Sequence, residues 1–318
     1  MEVNELKMLQ ALPLDVKIMK SQQRIREWYE FFGKKVYVSF SGGKDSTVLL
    51  HLVRQMYPEV VAVYSDTGLE FPEIRSFVKE TENVIWLKPK IGFKQVIEKY
   101  GYPVISKEQS QYIQEVRNCK SKQGVNYNNR LNGNKWGRGK ITDNWKFMLE
   151  SPFKISNMCC EISKKKPMKA YEKETNNNPI LGTMAEESQM RTKVYLQQGC
   201  NAFENKRPIS QPLSFWKEQD IWDYIKLHNL PYSKIYDMGY KRTGCMFCMY
   251  GVHLEKGENR FQRMQITHPK QWDYCMRDEV KGGLGMAKVL DYINVPYMNN
   301  IENKKTPEGI KYQQFKIV

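Results

Sequence analysis

The chain has 318 residues, of which 41% are hydrophobic, and its 50 Lys and Arg against 35 Asp and Glu give a formal net charge of +15. This length is enough to bury the core of one main domain with additions. Because no apolar run approaches the ~18 residues of a membrane span, and residues 1–20 contain no signal or transit pattern, we expect no membrane partner and a cytoplasmic location. The excess of positive charge predicts a polyanionic partner.

Strands and helices are predicted to alternate along the first part of the chain. In chain order, the predicted elements are a helix over 15–32, a strand over 36–40, a helix from about Ser46, a strand over 60–64, a helix over 72–82, a strand over 84–87 and a helix over 92–100. A later strand is predicted over 179–184. This alternation predicts an α/β fold with a doubly wound parallel sheet.

Residues 36–50, VYVSFSGGKDSTVLL, place a glycine-rich turn between a strand and a helix. Gly42 and Gly43 relieve the backbone in a tight turn, and the helix that follows leaves its first N–H groups without intrahelical acceptors. Those donors and the helix dipole favour phosphate, although the Walker A spacing is missing and a plain turn is the alternative. The side chains that add hydrogen bonds or charge are Ser39, Ser41, Lys44 and Ser46.

The next predicted strand, within VVAVYSDTGLEFPE at 60–73, is a continuous apolar run that ends in Asp-Thr-Gly. Such a run is typical of a buried parallel strand whose carboxyl end opens into a polar loop, and ligands bind at these ends. Asp45 and Asp66 offer the hard oxygen ligands that Mg²⁺ prefers, so we expect them to hold Mg²⁺ there.

Residues 107–150 form a basic insertion with interleaved aromatic side chains. Its basic residues are Lys107, Arg117, Lys120, Lys122, Arg130, Lys135, Arg138, Lys140 and Lys146, and its aromatic residues include Tyr112, Tyr127, Trp136 and Trp145. This pattern is typical of surfaces that bind a nucleic-acid backbone and stack bases. A solvated, partly disordered insertion has the same Asn-, Gly- and Lys-rich composition, and both interpretations stay open.

Four of the seven cysteines lie in two close pairs, Cys159 with Cys160 and Cys245 with Cys248. Two such pairs predict four thiolates at one metal centre, with buried thiols that act as small hydrophobes as the alternative. Disulfides are not expected, because the count is odd and no signal peptide is present. The cysteines expected to be core or incidental thiols are Cys119, Cys200 and Cys275.

The sequence SGGKDS after a strand resembles the pyrophosphate loop of the adenine nucleotide α-hydrolases, and D-T-G-x-x-F-P-E at 66–73 narrows the resemblance to the phosphoadenosine phosphosulfate (PAPS) reductase family. A third segment at 179–191 is similar to the family's G-x-R-x-x-E-S-x-x-R pattern through Gly182, Glu187, Ser188 and Arg191, but Met184 replaces the first arginine. The resemblance implies an adenine nucleotide α-hydrolase-like sheet with a Cys-containing C-terminal region. The implied organisation is an N-terminal helical segment at 1–34, a nucleotide-binding domain at 35–250 that contains the insertion, and a C-terminal extension at 251–318.

The resemblance also implies which residues bind the nucleotide, which is ATP, PAPS or adenylyl sulfate (APS). These are Ser39, Ser41, Gly42, Gly43, Lys44, Asp45, Ser46, Thr67, Gly68, Gly182, Glu187 and Arg191, with Lys44, Asp45 and Asp66 as the catalytic residues. In the adenylyl-sulfate reductase branch the Cys-Cys and Cys-x-x-Cys pairs hold a [4Fe–4S] cluster. We therefore expect that cluster at Cys159, Cys160, Cys245 and Cys248, with zinc as the alternative.

Reductases of this family attack the substrate sulfur with a cysteine in an E-C-G-[IL]-H motif, which these 318 residues do not contain. Cys275, in WDYCMRD, lacks the neighbours of that motif. We therefore expect an ATP pyrophosphatase that adenylylates a substrate for sulfur transfer to nucleic acid, as in DNA phosphorothioation or tRNA thiolation. A cysteine desulfurase or another thiol donor is the expected partner. The alternatives are a PAPS or APS reductase and a nucleic-acid-binding protein with a structural metal cluster.

Overall fold

A computed structural model of the chain describes residues 2–122 and 124–299. The chain divides into two compact units, Met1–Gly251 and Val252–Val318. Residues 300–318 of the predicted C-terminal extension lie outside the described residues. Within the part that is described, no helix is both long enough and apolar enough to cross a membrane.

Among the described residues, the first unit contains eight strands, of which the sequence analysis predicted four, β1, β2, β3 and β5, and did not predict the others. They are β1 (Val36–Phe40), β2 (Ala62–Ser65), β3 (Val84–Leu87), β4 (Val104–Ile105), β5 (Asn178–Leu181), β6 (Asn201–Ala202), β7 (Ile209–Ser210) and β8 (Met249–Tyr250). Six of them form one sheet in the order β3-β2-β1-β5-β7-β6, in which every neighbouring pair is parallel except β6 with β7. The predicted α/β fold with a doubly wound, mostly parallel sheet is confirmed, and its one antiparallel strand is at an edge.

The helices of the first unit include several that the sequence analysis did not predict, α1 among them, and one, α3, that begins earlier than predicted. They are α1 (Val3–Gln10), α2 (Leu14–Phe31), α3 (Lys44–Met56), α4 (Pro72–Glu80), α5 (Phe93–Tyr100), α6 (Lys107–Arg117), α7 (Val125–Asn132), α8 (Met158–Cys160), α9 (Lys166–Thr175), α10 (Gln189–Gln198) and α11 (Glu218–Leu227). Helix α3 begins at Lys44 rather than Ser46, because Gly43 is its extended N-cap residue, with φ −82° and ψ 158°.

Strand β1 lies inside the sheet, and the strands that follow it along the chain lie on both sides of it. The chain runs from β1 to β2 and β3 on one side, and later places β5 and β7 on the other. On one face, Tyr37 of β1 and Val63 of β2 pack against Tyr171 of α9. In doubly wound sheets, ligands bind where the strand order reverses. That position is the carboxyl edge of β1 and β5.

Helices α2, α3 and α11 pack against one another beside the sheet. Lys17 of α2 is only 2% exposed, and its Nζ donates hydrogen bonds to the Gln10 carbonyl at 2.9 Å and to Asp220 Oδ2 at 2.6 Å. A lysine this deeply buried needs its partner, because an unpaired charge in the interior is costly. The ion pair therefore joins α2 to α11.

The second unit contains helices α12 (Arg260–Thr267), α13 (Pro269–Met276) and α14 (Met286–Tyr292). The Asn259 side chain caps α12 by accepting hydrogen bonds from the backbone N–H groups of Phe261 and Gln262. Cys275 of α13 is fully buried, with its Sγ 3.2 Å from the Met286 sulfur. In this unit Cys275 is thus a core thiol.

We predict that Lys17→Ala lowers the free energy of unfolding by about 3 kcal/mol, because it leaves the Asp220 carboxylate without its partner and removes a buried stem. Urea unfolding followed by far-UV circular dichroism measures the change. Lys7→Ala, at an exposed position of α1, is the control and should change stability by less than about 0.5 kcal/mol. Equal effects of the two substitutions would contradict a structural role for the ion pair.

Candidate active site

The loop after β1 presents unpaired backbone donors at the start of α3. Gly42 adopts φ +71°, a conformation that favours glycine. Gly43 is the N-cap residue and has no side chain to accept a hydrogen bond from the first N–H groups of the helix. Among the described residues, the backbone N–H groups of Asp45 and Ser46 have no acceptor. The Ser41 and Ser46 hydroxyls lie 3.0 Å apart at the same loop. Donors and hydroxyls therefore converge where an anion would bind.

The segment after α11 lies over this loop. The backbone N–H of Lys44 donates a hydrogen bond to the Tyr236 hydroxyl at 2.8 Å. A Cβ atom on Gly43 would lie 2.6 Å from Thr243 Oγ1, so any larger residue would require the Thr243 side chain to move. The sequence analysis missed Tyr236 and Thr243, because no local pattern signals a contact across about 190 residues.

Lys44 is buried among carboxylates. Its side chain is 6% exposed, and its Nζ lies 3.6 Å from Asp45 Oδ1 and 3.3 Å from Glu218 Oε1. Burial raises the pKa of the Asp45 carboxyl, and the nearby charges of Glu187 and Glu218 act in the same direction, while Lys44 opposes them. Asp45 Oδ1 is buried and has no hydrogen-bond donor. This oxygen fits a Mg²⁺ ligand.

The loop after β2 is ordered by its own side chains. Asp66 is 5% exposed, its Oδ2 accepts a hydrogen bond from Arg75 at 2.9 Å, and its Oδ1 accepts one from the Gly68 N–H at 3.3 Å. The carboxylate predicted to bind Mg²⁺ is thus already in an ion pair. Thr67 donates to Glu70 through its hydroxyl at 2.7 Å and its N–H at 3.0 Å. The sequence analysis gave no role to Glu70, which holds this loop together.

The third predicted segment approaches the phosphate loop through Gly182, just after β5. A Cβ there would lie 3.0 Å from the carbonyl oxygen of Asp45. Arg191 forms an ion pair with Glu187 within one helical turn, so its guanidinium is already paired. Met184, which stands where the family has arginine, is 3% exposed and belongs to the core. Ser39 lies within β1, beside β2 and β5.

The two predicted cysteine pairs come together in the first unit. Burial raises the pKa of the Cys159 thiol, and the neighbouring Cys245, Cys160 and Cys248 raise it further. The charge of Cys245 raises the pKa of the Lys164 ammonium beside it. These four cysteines, all among the described residues, form no disulfide bond. Across residues 2–122 and 124–299, however, no three His, Cys, Asp or Glu side chains are arranged so that they could hold a metal ion.

Direct contacts join the segments that carry the cysteine pairs to the loop after β2. The N–H of Met246, between Cys245 and Cys248, donates to the Leu69 carbonyl at 2.8 Å. Lys164 Nζ lies 3.8 Å from Glu70 Oε1, the same carboxylate that orders the loop after β2. A change in the conformation of this loop would therefore reach the cysteines through two contacts.

A glycine-rich loop at the strand-order reversal of a parallel sheet is typical of nucleotide-binding α/β proteins. Comparison with known families identifies the family of this chain. The chain belongs to the phosphoadenosine phosphosulfate reductase domain family, whose model matches residues 35–120 and 104–250. The family predicted from the sequence is confirmed.

The chain also resembles individual proteins at low identity. An uncharacterized protein of Methanocaldococcus jannaschii is 27% identical over 260 residues, which cover 79% of this chain and 50% of that protein. The chain thus spans half the length of this relative. The adenosine 5'-phosphosulfate reductase of Staphylococcus haemolyticus is 27% identical over 235 residues, which cover 72% of this chain and 76% of that enzyme.

A search of solved structures finds the PAPS reductase of Candida auris, in its phosphate complex. It is 16% identical, with a TM-score of 0.44, and the match covers 77% of this chain and 96% of that one.

We predict that Gly42→Ala destabilises the protein more than Gly68→Ala does. Both glycines have positive φ, +71° and +74°, but only at Gly42 would the new Cβ lie 2.7 Å from Val78 Cγ2 and 2.9 Å from Ile74 Cγ2. We expect a loss of about 1 kcal/mol at Gly68 from the backbone alone, and about 2–4 kcal/mol at Gly42 with overpacking added. Urea unfolding measures both, and equal losses would contradict the packing described for the phosphate loop.

Proposed function

We propose that this protein is an ATP pyrophosphatase that activates a substrate by adenylylation for sulfur transfer to nucleic acid. The observation that carries this proposal is the start of α3, where the N–H groups of Asp45 and Ser46 lack acceptors and buried Lys44 adds a positive charge. Backbone donors at a helix N-terminus bind phosphate, and a lysine beside them neutralises it. A polyphosphate would also replace the Tyr236 hydroxyl as acceptor for the Lys44 N–H.

The proposed reaction needs positioning and charge neutralisation rather than a nucleophile on the protein. An oxygen of the acceptor attacks the α-phosphorus of ATP, the bond from that phosphorus to the oxygen bridging the β-phosphorus breaks, and pyrophosphate leaves. Hydrosulfide, released by a cysteine desulfurase or another thiol donor, then attacks the activated atom of the adenylylated acceptor, and AMP leaves with the acceptor oxygen that the sulfur replaces. Lys44 offsets the negative charge of the leaving group. Mg²⁺ would be held by Asp45, whose Oδ1 has no hydrogen-bond donor.

A PAPS or APS reductase is the second candidate, because a relative named as an adenosine 5'-phosphosulfate reductase matches 72% of this chain. Cys275 is a poor nucleophile for that reaction. It is fully buried, and burial raises its pKa well above the ordinary value for a thiol. The core position of Met184 also removes a cation that the family uses. Both observations favour ATP over a sulfonucleotide as the substrate.

We further propose that Cys159, Cys160, Cys245 and Cys248 hold a [4Fe–4S] cluster. Four cysteines outside any disulfide, three of which raise the pKa of Cys159, and Lys164, whose positive charge lies beside Cys245, have the donor chemistry of such a site. Binding would require the thiols to move closer together. When bound, the cluster would supply iron with affinity for sulfur. Reduced cysteines also fit the cytoplasmic location that we propose.

The first test compares two products. With Mg²⁺ and an acceptor oligonucleotide, we expect saturable ATP binding and pyrophosphate release, and no sulfite from PAPS or APS with thioredoxin.

Lys44→Ala should lower the rate of pyrophosphate release by about 10²–10³-fold, because it removes a preorganised positive charge. Lys90→Ala, at an exposed site, is the matched control. Robust sulfite production would favour the reductase, and an unchanged Lys44→Ala variant would favour a nucleic-acid-binding protein with an inactive loop.

The second test concerns the cysteines. After anaerobic purification or reconstitution, we expect about four iron and four sulfide per chain and a broad absorption near 400 nm. Replacing Cys160 and Cys248 together with alanine should abolish both signals, whereas Cys119→Ala should leave them unchanged. A protein that contains zinc without sulfide would refute the cluster and leave the nucleotide site in place.

A further inference from the structure

The basic insertion is folded wherever the structure describes it. Helices α6 and α7 and a 3-10 helix at Asp143–Glu150 surround a small apolar interior, in which Ile113, Ile141 and Met148 are fully buried. Nine basic residues stand against four acidic ones between 107 and 150. Because apolar side chains fill the interior, these charges lie on the outer surface.

The loop at 133–142 is held in place by polar contacts. Asn134 Oδ1 accepts hydrogen bonds from the N–H groups of Trp136 at 3.0 Å and Arg138 at 3.1 Å. Gln109 fixes the end of the loop, donating to the Lys140 carbonyl at 3.2 Å and accepting from the Thr142 N–H at 3.0 Å. The ordered loop presents a tryptophan side chain to solvent, since Trp136 is 69% exposed.

The cations of the insertion differ in their partners. Arg130 is paired with Glu115, and both Lys140 and Lys146 with Asp143. Those that are exposed without an acidic partner among the described residues include Lys120, Lys122, Lys135 and Arg138. Lys135 Nζ lies 4.3 Å from the centre of the Trp136 ring. Free cations beside an exposed ring match the sugar-phosphate backbone and unpaired bases of a single strand.

The insertion is attached directly to both cysteine segments. Asn157, just before the first cysteine pair, donates to Gln111 of α6 at 3.1 Å. Strand β4, just before α6, pairs with β8, which directly follows Cys248. The Tyr250 hydroxyl donates to the Ser156 carbonyl at 3.3 Å and so joins the two cysteine segments. The insertion is therefore attached to both cysteine segments through α6 and the strand that precedes it.

We propose that this surface, defined by Lys120, Lys122, Lys135, Trp136 and Arg138, binds single-stranded nucleic acid and delivers it to the cysteine site. The four cations contact phosphates, and one unpaired base stacks on Trp136. The delivery step rests on the proposed sulfur transfer, whereas the binding itself does not. A duplex keeps its bases stacked internally, so it offers Trp136 no base and should bind less tightly.

Fluorescence anisotropy with labelled 20-nucleotide single strands of DNA and RNA, and with a DNA duplex, tests the binding. We expect both single strands to bind at least about tenfold more tightly than the duplex, and their affinity to fall as salt rises. A preference between the DNA and RNA strands identifies which of them is the acceptor. Equal or tighter binding of the duplex would overturn the role of Trp136.

Variants of the surface locate the site. Replacing Lys120, Lys122, Lys135 and Arg138 together with alanine should lower affinity at least about tenfold at 0.1 M salt. It should also reduce the salt slope by up to about 3, at ~0.7 per phosphate contact. The matched control removes the same charge from exposed positions elsewhere in the first unit, at Lys79, Lys173, Lys206 and Lys226, and should retain most of the affinity. Equal losses in the two variants would mean that net charge alone attracts the strand, and would overturn the proposed site.

Trp136→Ala should weaken single-strand binding about five- to hundredfold, whereas Trp136→Phe should retain most of it, because any aromatic ring can stack a base. Trp136→Ala changes one exposed side chain, so it keeps the test decisive if the fourfold variant does not fold. Pyrophosphate release from ATP, measured in parallel, separates the two proposals. A wild-type protein that cleaves ATP but binds no oligonucleotide would refute this surface alone, and one that binds single strands but not ATP would refute only the proposed function.

Discussion

The first backbone N–H groups of helix α3 have no hydrogen-bond acceptors within the helix. The rest of the first unit is arranged around this N-terminal end. Gly42 turns the chain so that α3 starts at the carboxyl edge of β1, beside β5. The Asp45 and Ser46 N–H groups lack acceptors, and the Tyr236 hydroxyl accepts from the Lys44 N–H. Unsatisfied donors with a helix dipole behind them favour an anion, whatever nucleotide carries it.

Two contacts extend from the loop after β2 to the segments that carry the cysteines. Glu70 orders the loop after β2 and also lies close to Lys164, which offsets the charge of Cys245. The backbone of Met246 bonds to the same loop. One contact is a backbone hydrogen bond of 2.8 Å and the other an ion pair of 3.8 Å, so a change in the loop after β2 has a direct structural route to the cysteine segments. A protein that couples adenylylation to sulfur chemistry requires such proximity.

Membership of the family does not by itself identify the reaction of this protein. Particular residues reduce the number of candidate reactions. Met184 is buried where the family has an arginine, and Cys275 is enclosed in the core of the second unit. Neither substitutes for the group that a sulfonucleotide reductase would need. The insertion adds a cationic surface with an exposed tryptophan, attached to both cysteine segments. These features together favour a large polyanionic acceptor over a small sulfonucleotide.

The sequence by itself determined the order of strands and helices around β1, the glycine-rich turn before α3 and the family, because each depends on local patterns: alternation of elements, glycines in a tight turn and a short motif. Tertiary structure decided the partners of those residues. The pairing of Asp66 with Arg75 and the position of Tyr236 over the loop depend on side-chain packing. The ion pair between Lys17 and Asp220 spans 203 residues and has no local signature. Contacts between distant segments form only when the core brings them together, so no pattern within a single segment predicts them.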